Sequence, residues 1–134
     1  MTDQFQIRIL SVDDNAMLRE GIAAIIESQR DMVLVSQAVN GVEAIQQYRN
    51  LKPDVTLMDL RLPDLNGIDA MIAIRTEFPD ARVIMLTTFE DDVENQRALE
   101  AGASGYLLKS MPPNDLLQAI RHVHSGNDGR SRQG

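Results

Sequence analysis

Residues 55–60 read Val55-Thr56-Leu57-Met58-Asp59-Leu60, a short apolar run that ends at an acidic residue. Pro53 stands just before the run, and a stretch with the apolar spacing of a helix follows it over residues 68–78. A short apolar run between a proline and a helix is typical of a buried strand in a parallel sheet. The run therefore predicts a strand-to-helix unit with a carboxylate where the strand ends.

The same strand-to-helix unit occurs four more times in the chain. The apolar runs lie at residues 7–12, 33–35, 55–58, 83–86 and 106–108, and each is followed by helical periodicity. In the first helix the apolar residues follow the spacing i, i+4, i+7, i+8, at Leu18, Ile22, Ile25 and Ile26, which indicates one buried face. Five such units predict an α/β fold, a doubly wound parallel sheet.

The predicted helices differ in how many large apolar residues anchor them. For helices two, three and four these residues are Val42, Ile45 and Tyr48; Ile68, Met71, Ile72 and Phe78; and Val93 and Leu99. Helix four, from about Asp92 to Ala101, has the fewest, and we expect it to be the helix most easily displaced. Gly67 is interpreted as the end of a polar loop, and Gly102 as the residue that follows helix four.

Composition excludes several classes of function. A chain of 134 residues, 43% apolar and 25% charged, suits one compact soluble domain. No apolar run approaches the ~20 residues of a membrane span, and Met1–Gln4 lack a basic, signal-like region, so we expect a cytoplasmic protein. The absence of cysteine removes disulfides, thiolate metal sites and thiol nucleophiles. The net charge of -7 disfavours direct binding of nucleic acid by this segment.

Polar residues stand at the carboxyl ends of four predicted strands: Asp13 and Asp14, Asp59, Thr87 and Lys109. Ligands of such sheets collect at this edge. Carboxylates about 5 Å apart repel by roughly 3 kcal/mol per pair at an effective dielectric near 20, a cost that a divalent cation would relieve. Oxygen ligands without histidine or cysteine favour Mg²⁺, with Mn²⁺ as the alternative.

An aspartate held beside such a cation can act as a nucleophile toward a phosphoryl group, because the metal offsets the repulsion between two anions. The ammonium of Lys109 and the hydroxyl of Thr87 are suitable donors to the remaining phosphoryl oxygens. The carboxylates alone do not reveal the chemistry, and phosphoryl transfer is one reaction that this set of residues would suit.

The chain resembles the receiver (CheY-like) domain of bacterial two-component response regulators, from about Gln6 to about Gly126. The motifs that carry the resemblance are Ser11-Val12-Asp13-Asp14, Pro53-Asp54-Val55, Met58-Asp59-Leu60, Pro63, Gly67, Met85-Leu86-Thr87-Thr88, Gly102-Ala103 and Gly105-Tyr106-Leu107-Leu108-Lys109. The paired threonines and the segment 101–109 are most similar to the NarL/LuxR-type subfamily. The resemblance implies a flavodoxin-like (βα)5 fold with strand order 2-1-3-4-5.

The resemblance also implies a role for each acidic residue. Asp59 would accept a phosphoryl group from a phosphohistidine of a sensor histidine kinase. Asp14, Asp59 and the backbone carbonyl of Arg61 would bind Mg²⁺, and Asp13 would act mostly through a bound water. The domain would catalyse only its own phosphorylation and dephosphorylation, and so would be a signalling domain rather than an enzyme.

The remaining roles concern the response to phosphorylation. Thr87 and Lys109 would each bind a phosphoryl oxygen, and Tyr106 would be the aromatic switch. The receiver would span residues 1–126, and residues 127–134 would be a tail or the start of a linker to an absent output domain, a helix-turn-helix that controls transcription. A homodimer formed on phosphorylation is a further implied partner, whereas a membrane is not.

Other interpretations remain open at this point. Asp13, Asp14 and Asn15 could cap helix one, and a receiver-like module could serve interaction or dimerisation without being phosphorylated. A flavodoxin-like carrier would need a Ser/Thr/Gly-rich loop where the acidic pair stands, and an aspartate-based phosphatase would want an acid where Arg61 stands. Many receivers have a cis proline after the lysine, whereas Ser110 follows Lys109 here, so the geometry of this peptide bond is open.

Overall fold

The computed structural model describes residues 6–88 and 92–126, in which strands and helices alternate throughout. In chain order the elements are β1 (Ile7–Val12), α1 (Ala16–Glu27), β2 (Met32–Ala38), α2 (Gly41–Leu51), β3 (Val55–Asp59), α3 (Gly67–Glu77), β4 (Val83–Thr87), α4 (Asp92–Glu100), β5 (Gly105–Leu108) and α5 (Pro113–His124). The strands form one parallel sheet in the order β2-β1-β3-β4-β5. The predicted doubly wound α/β fold and its strand order are confirmed. The tail assigned to residues 127–134 lies outside the described residues.

Helices cover both faces of the sheet, and each face has its own apolar cluster. The first cluster joins the sheet to α2, α3 and α4 and includes Leu10, Val12, Tyr48, Met58, Met71, Ile74 and Met85. The second joins it to α1 and α5 and includes Ile9, Ile22, Ile26, Leu57, Ile84, Leu86, Leu116 and Ile120. Every residue of β3 and β4 is buried, because a parallel sheet covered on both faces leaves no solvent side.

Three residues predicted as helix anchors are exposed instead: Val42, Ile72 and Val93 are 49%, 43% and 70% exposed. The apolar class of a residue did not fix the rotation of its helix about its own axis. In α4 the inward positions belong to Asn95 and Ala98, which are nearly fully buried. Asn95, Ala98 and the half-buried Leu99 thus form the inner surface of α4, and Val93 was wrongly assigned to it.

The parallel arrangement brings the carboxyl ends of β1, β3, β4 and β5 to one edge of the sheet. Within the described residues every peptide bond is trans, including the one between Lys109 and Ser110. None of the helices in the described ranges is long and apolar enough to cross a membrane. The edge formed by the strand ends holds the residues considered next.

Candidate functional site

Three carboxylates meet at the end of β1 and β3. Val12 pairs with Met58 in neighbouring strands, so Asp13 and Asp59, one residue further along each strand, adjoin. Asp14 completes a group in which carboxylate oxygens of all three residues lie within 4.8 Å of one another. Asp13 and Asp59 are buried, whereas Asp14 is exposed. The structure therefore brings the predicted acidic residues together in a cluster that is exposed to solvent at Asp14.

Lys109 reaches this acidic cluster from the end of β5. Its Nζ lies 3.0 Å from Oδ2 of Asp13 and 3.0 Å from Oδ1 of Asp59. Its backbone N–H donates to the carbonyl of Thr87 at 2.7 Å, which fixes the point where the side chain leaves the sheet. One ammonium thus faces two buried carboxylates, and the group of four side chains retains a net negative charge.

The surroundings shift the pKa values of Asp59 and Lys109 in the same direction. Burial raises the pKa of Asp59, because desolvation disfavours the charged form. The hydrogen bond from Lys109 opposes this shift, and the charge of Asp13 adds to it. Burial alone would lower the pKa of Lys109, but hydrogen bonds and charges of Asp59 and Asp13 outweigh it, and that pKa lies above its usual value. An added cation would favour the ionised form of Asp59.

The cap of α1 is Asn15, whose Oδ1 accepts from the N–H groups of Met17 at 3.0 Å and Leu18 at 3.2 Å. Asp13 instead uses Oδ1 to accept from the N–H of Asn15 at 2.8 Å, while its Oδ2 faces Lys109. Helix capping therefore explains Asn15. Asp13 and Asp14 do not cap α1, and their carboxylates belong to the acidic cluster instead.

The loop between β3 and α3, residues 60–66, begins directly after Asp59. The N–H of Arg61 approaches Oδ1 of Asp59 at 3.3 Å, and the N–H of Gly67 donates to the carbonyl of Leu60 at 2.7 Å. A Cβ at Gly67 would collide with the carbonyl oxygen of Asp59. Gly67 is the first residue of α3 rather than the end of the loop, and its missing side chain lets the helix begin against the backbone of Asp59.

Sequence reasoning missed Asp64, which lies in the same loop. Its carboxylate accepts three backbone hydrogen bonds, from Gly41 at 2.7 Å, Val42 at 2.9 Å and Leu65 at 2.7 Å. These hydrogen bonds lower the pKa of Asp64, and the bond from the N–H of Val42 contributes most to this shift. Its partners at the start of α2 are backbone groups 22 and 23 residues away, so the sequence carried no signal for the contact.

Thr87 and Tyr106 lie on neighbouring strands at the same edge. Thr87 is buried at the end of β4, and Tyr106 on β5 pairs with Met85. Met85 and Tyr106 contact the first apolar cluster, and side chains of a strand alternate between its faces, so Thr87 lies on that face too. Tyr106 is half-buried on this face.

The donor set of the acidic cluster fits a hard divalent cation. All three residues offer carboxylate oxygens, and such oxygens, completed by backbone carbonyls and water, are the preferred ligands of Mg²⁺. Two of the carboxylates are buried and share a single ammonium, so negative charge remains to be balanced in the cluster.

The family model described as the response regulator receiver domain matches residues 9–121. The chain belongs to this family. Among curated proteins, it is 41% identical over 120 residues to the transcriptional regulatory protein LnrK of Bacillus subtilis, and 40% identical over 120 residues to the response regulator protein VraR of Staphylococcus aureus. These matches cover 90% of this chain but 54% and 57% of the relatives. The receiver chain thus spans about half the length of these relatives.

Solved structures agree with this assignment. A two-component response regulator of the LuxR family from Aurantimonas sp. superposes with a TM-score of 0.88 at 38% identity, over 92% of this chain and 88% of that one. The receiver domain of the response regulator NarL from Mycobacterium tuberculosis gives 0.89 at 26% identity, over 92% and 100%. The resemblance to receivers of the NarL/LuxR type is confirmed.

Proposed function

We propose that this receiver accepts a phosphoryl group on Asp59 from a phosphohistidine of a sensor histidine kinase. The observation that carries the proposal is the position of the Asp59 carboxylate, 3.0 Å from the ammonium of Lys109 and in one cluster with Asp13 and Asp14. Receiver domains of response regulators interact with sensor kinases, which makes a kinase the partner to expect for this family member.

The step is a transfer between two nucleophiles. A carboxylate oxygen of Asp59 attacks phosphorus, the new P–O bond forms, and the bond between phosphorus and the histidine nitrogen breaks. That nitrogen keeps the electron pair and takes a proton from solvent. Because the carboxylate must be ionised to attack, the raised pKa of Asp59 makes charge balance at the site a requirement of the reaction.

The ligands that would hold Mg²⁺ are Asp14, Asp59 and the backbone carbonyl of Arg61, with Asp13 acting through a water. When bound, the cation offsets the repulsion between the carboxylate and the incoming phosphoryl group. Lys109, whose Nζ is 3.0 Å from Oδ1 of Asp59, would donate to a phosphoryl oxygen on Asp59, and Thr87 would supply a hydroxyl from the next strand. These assignments are consistent with the burial and the edge position of each residue.

The proposed output is a conformational change rather than turnover of a substrate. A phosphoryl group brings about -1.5 to -2 charges to one point, and Thr87 and Tyr106 share the sheet face that α4 covers. The relatives LnrK and VraR are named as regulators, which supports control of transcription from the cytoplasm through a domain outside residues 1–126. Self-association on phosphorylation is the second partner that we propose.

Intact mass after incubation with acetyl phosphate tests the proposal, with and without Mg²⁺, on the wild type, Asp59→Ala and Asp80→Ala. Asp80 is an exposed acid in the turn after α3 and serves as the matched control. We expect an adduct that requires Mg²⁺ in the wild type and Asp80→Ala and is absent in Asp59→Ala.

Beryllofluoride, a mimic of the phosphoryl group, gives an independent check because it needs no donor molecule. The absence of an adduct with both reagents in the wild type would overturn the proposal and favour a receiver that serves only in interaction or dimerisation. An adduct that persists in Asp59→Ala would assign the acceptor to another residue.

A further inference from the structure

The β3–α3 loop is held both at its base and at its tip. At the base, the N–H of Gly67 donates to the carbonyl of Leu60 at 2.7 Å. At the tip, Asp64 contacts the beginning of α2. Arg61 lies between these two attachments and directly follows the residues that leave the sheet. The position of the backbone at Arg61 therefore depends on both of them.

The tip contact is a two-pronged one. Oδ1 of Asp64 accepts from the N–H of Gly41 at 2.7 Å, and Oδ2 accepts from that of Val42 at 2.9 Å. The first N–H groups of a helix have no partner within the helix, and the helix dipole favours a negative charge there. Oδ1 also accepts from Leu65 at 2.7 Å. One carboxylate thus joins the loop and the helix in a fixed orientation.

The helix does not depend on Asp64 alone for its cap. Oδ1 of Asn40 accepts from the N–H of Glu43 at 2.8 Å, which is an ordinary local cap. The loop, in contrast, approaches closely: a Cβ at Gly41 would lie 2.7 Å from Cβ of Leu65 and 3.3 Å from Oδ1 of Asp64. Asn40 therefore caps α2, whereas Asp64 attaches the loop to α2.

We propose that Asp64 is a positioning residue of the metal site. By holding the loop tip on α2, it fixes the backbone at Arg61 and so sets the affinity of the site for Mg²⁺. The inference rests on the proposed function, in which the Arg61 carbonyl is a metal ligand. Groups that orient metal ligands without touching the metal commonly account for about 10-fold to 100-fold in metal affinity.

The test is a titration with MgCl2, followed by the amide resonances of the isotopically labelled protein. We expect Asp64→Ala to raise the dissociation constant of Mg²⁺ about 10-fold. Asp64→Asn keeps one oxygen acceptor and loses the other, and its dissociation constant should lie between those of the wild type and Asp64→Ala. Hydrogen exchange of the same labelled proteins is measured separately. In both variants it should be faster at Gly41 and Val42 and unchanged in β3.

Two control variants separate the loop attachment from simpler effects. Asn40→Ala weakens the cap of α2 but leaves Asp64 in contact with it. Asp69→Ala removes one negative charge from an exposed residue in the first turn of α3. Both should change the dissociation constant less than about twofold, well below the effect expected of a ligand-orienting group. If Asn40→Ala weakened Mg²⁺ binding as much as Asp64→Ala does, the loss would come from α2. If Asp69→Ala did so, the loss would come from charge. Either result would overturn the positioning role.

The outcomes for the two proposals differ. If the wild type binds Mg²⁺ and Asp64→Ala binds it no more weakly than Asp69→Ala, the positioning role is overturned and the proposed function stands. If the wild type binds no Mg²⁺ and forms no adduct, the proposed function fails and this inference fails with it. Weak binding by Asp64→Ala alone, with partial recovery in Asp64→Asn, supports both.

Discussion

Asp59 is 3% exposed and lies in a cluster with two other carboxylates. Because its pKa is raised above the usual 3.8, the folded protein holds this proton more tightly than the unfolded chain does. The free energy of unfolding should therefore fall as pH rises from 3.8 through the raised pKa. Asp59→Asn removes this pH-dependent fall in the free energy of unfolding, because asparagine does not ionise. At pH 7 and without Mg²⁺, we expect the variant to be more stable by about 1 kcal/mol, as is common where a functional residue is replaced.

Urea unfolding at pH 7 and at a pH well below 3.8 checks this expectation. The gain should shrink at the lower pH, where Asp59 is protonated in both the folded and the unfolded states. Equal stability of Asp59→Asn and wild type at pH 7 would contradict it, since burial of the charge would then carry no cost.

Two glycine-to-alanine variants, one at the contact and one away from it, test the close approach of α3 to Asp59. Gly67→Ala should lower the free energy of unfolding by about 1–3 kcal/mol, because the new Cβ collides with the backbone of Asp59 and Leu60. Gly21 lies within α1 and has no atom near its Cβ position, so Gly21→Ala should raise that free energy by about 0.5–1 kcal/mol. Chemical denaturation measures both, and a neutral Gly67→Ala would refute the collision.

For single residues, the sequence predicted which side chains would lie together at the sheet edge. Asp13, Asp14, Asp59 and Lys109 come together because strand ends of a parallel sheet share an edge, which follows from the order of the elements. Asp64 was missed because its partners at α2 are backbone N–H groups, and every residue except proline has one. A loop aspartate gives no sign of which distant backbone it binds.

Among the elements, α4 has the weakest attachment. Its buried positions are taken by Asn95 and Ala98, and Nδ2 of Asn95 is buried without a hydrogen-bond partner in the described part of the chain. An unsatisfied buried amide costs about 1–3 kcal/mol, whereas α1 buries Ile22 and Ile26. We expect amides of α4 to exchange roughly tenfold faster than those of α1, as such a cost implies.

Hydrogen exchange with and without beryllofluoride and Mg²⁺ measures this difference. Exchange in α4 should change on addition of the mimic, while exchange in α1 should not. Equal protection of α1 and α4, with no change on addition, would contradict both the weak attachment of α4 and its part in the switch.

The alternation and type of the elements followed from the apolar runs, but the rotation of the helices did not. Large apolar residues were assumed to face the sheet, and in α4 this rule chose Val93 over Asn95. In α4 the buried positions belong to Asn95 and Ala98, so the size of an apolar side chain did not predict its burial there. The α5 helix shows the opposite case: its large apolar residues Leu116 and Ile120 face inward and are fully buried.

Across the whole molecule, Arg121 on α5 connects two regions that are about 90 residues apart in the chain. Its Nε and Nη2 lie 2.8 and 2.9 Å from the two carboxylate oxygens of Asp31, in the turn before β2. The hydrogen bond from Arg121 lowers the pKa of Asp31 below 3.8. Both side chains are over a third exposed, so solvent screens the pair, and Asp31→Asn should cost about 0.5 kcal/mol at pH 7.

The pH dependence of this loss has a definite sign. A depressed pKa in the folded state stabilises the protein above pH 3.8 and loses this effect as pH falls through the folded-state value. Wild type and Asp31→Asn should therefore differ in urea unfolding at pH 7 and converge at strongly acidic pH. Asp80→Asn serves as the charge control, and an equal loss in that variant would remove the ion pair as the cause.

The exposed turn at Pro79 and Asp80 separates, along the chain, two groups of residues that meet at the site. A chain cut there would keep all three carboxylates in the fragment with β1 and β3, and it would leave Lys109 in the fragment with β4 and β5. Neither fragment could form the ion pairs between Lys109 and the acidic cluster by itself. Reassembly of the two pieces would be needed to restore them, so the ion pairs of Lys109 would report on fragment complementation.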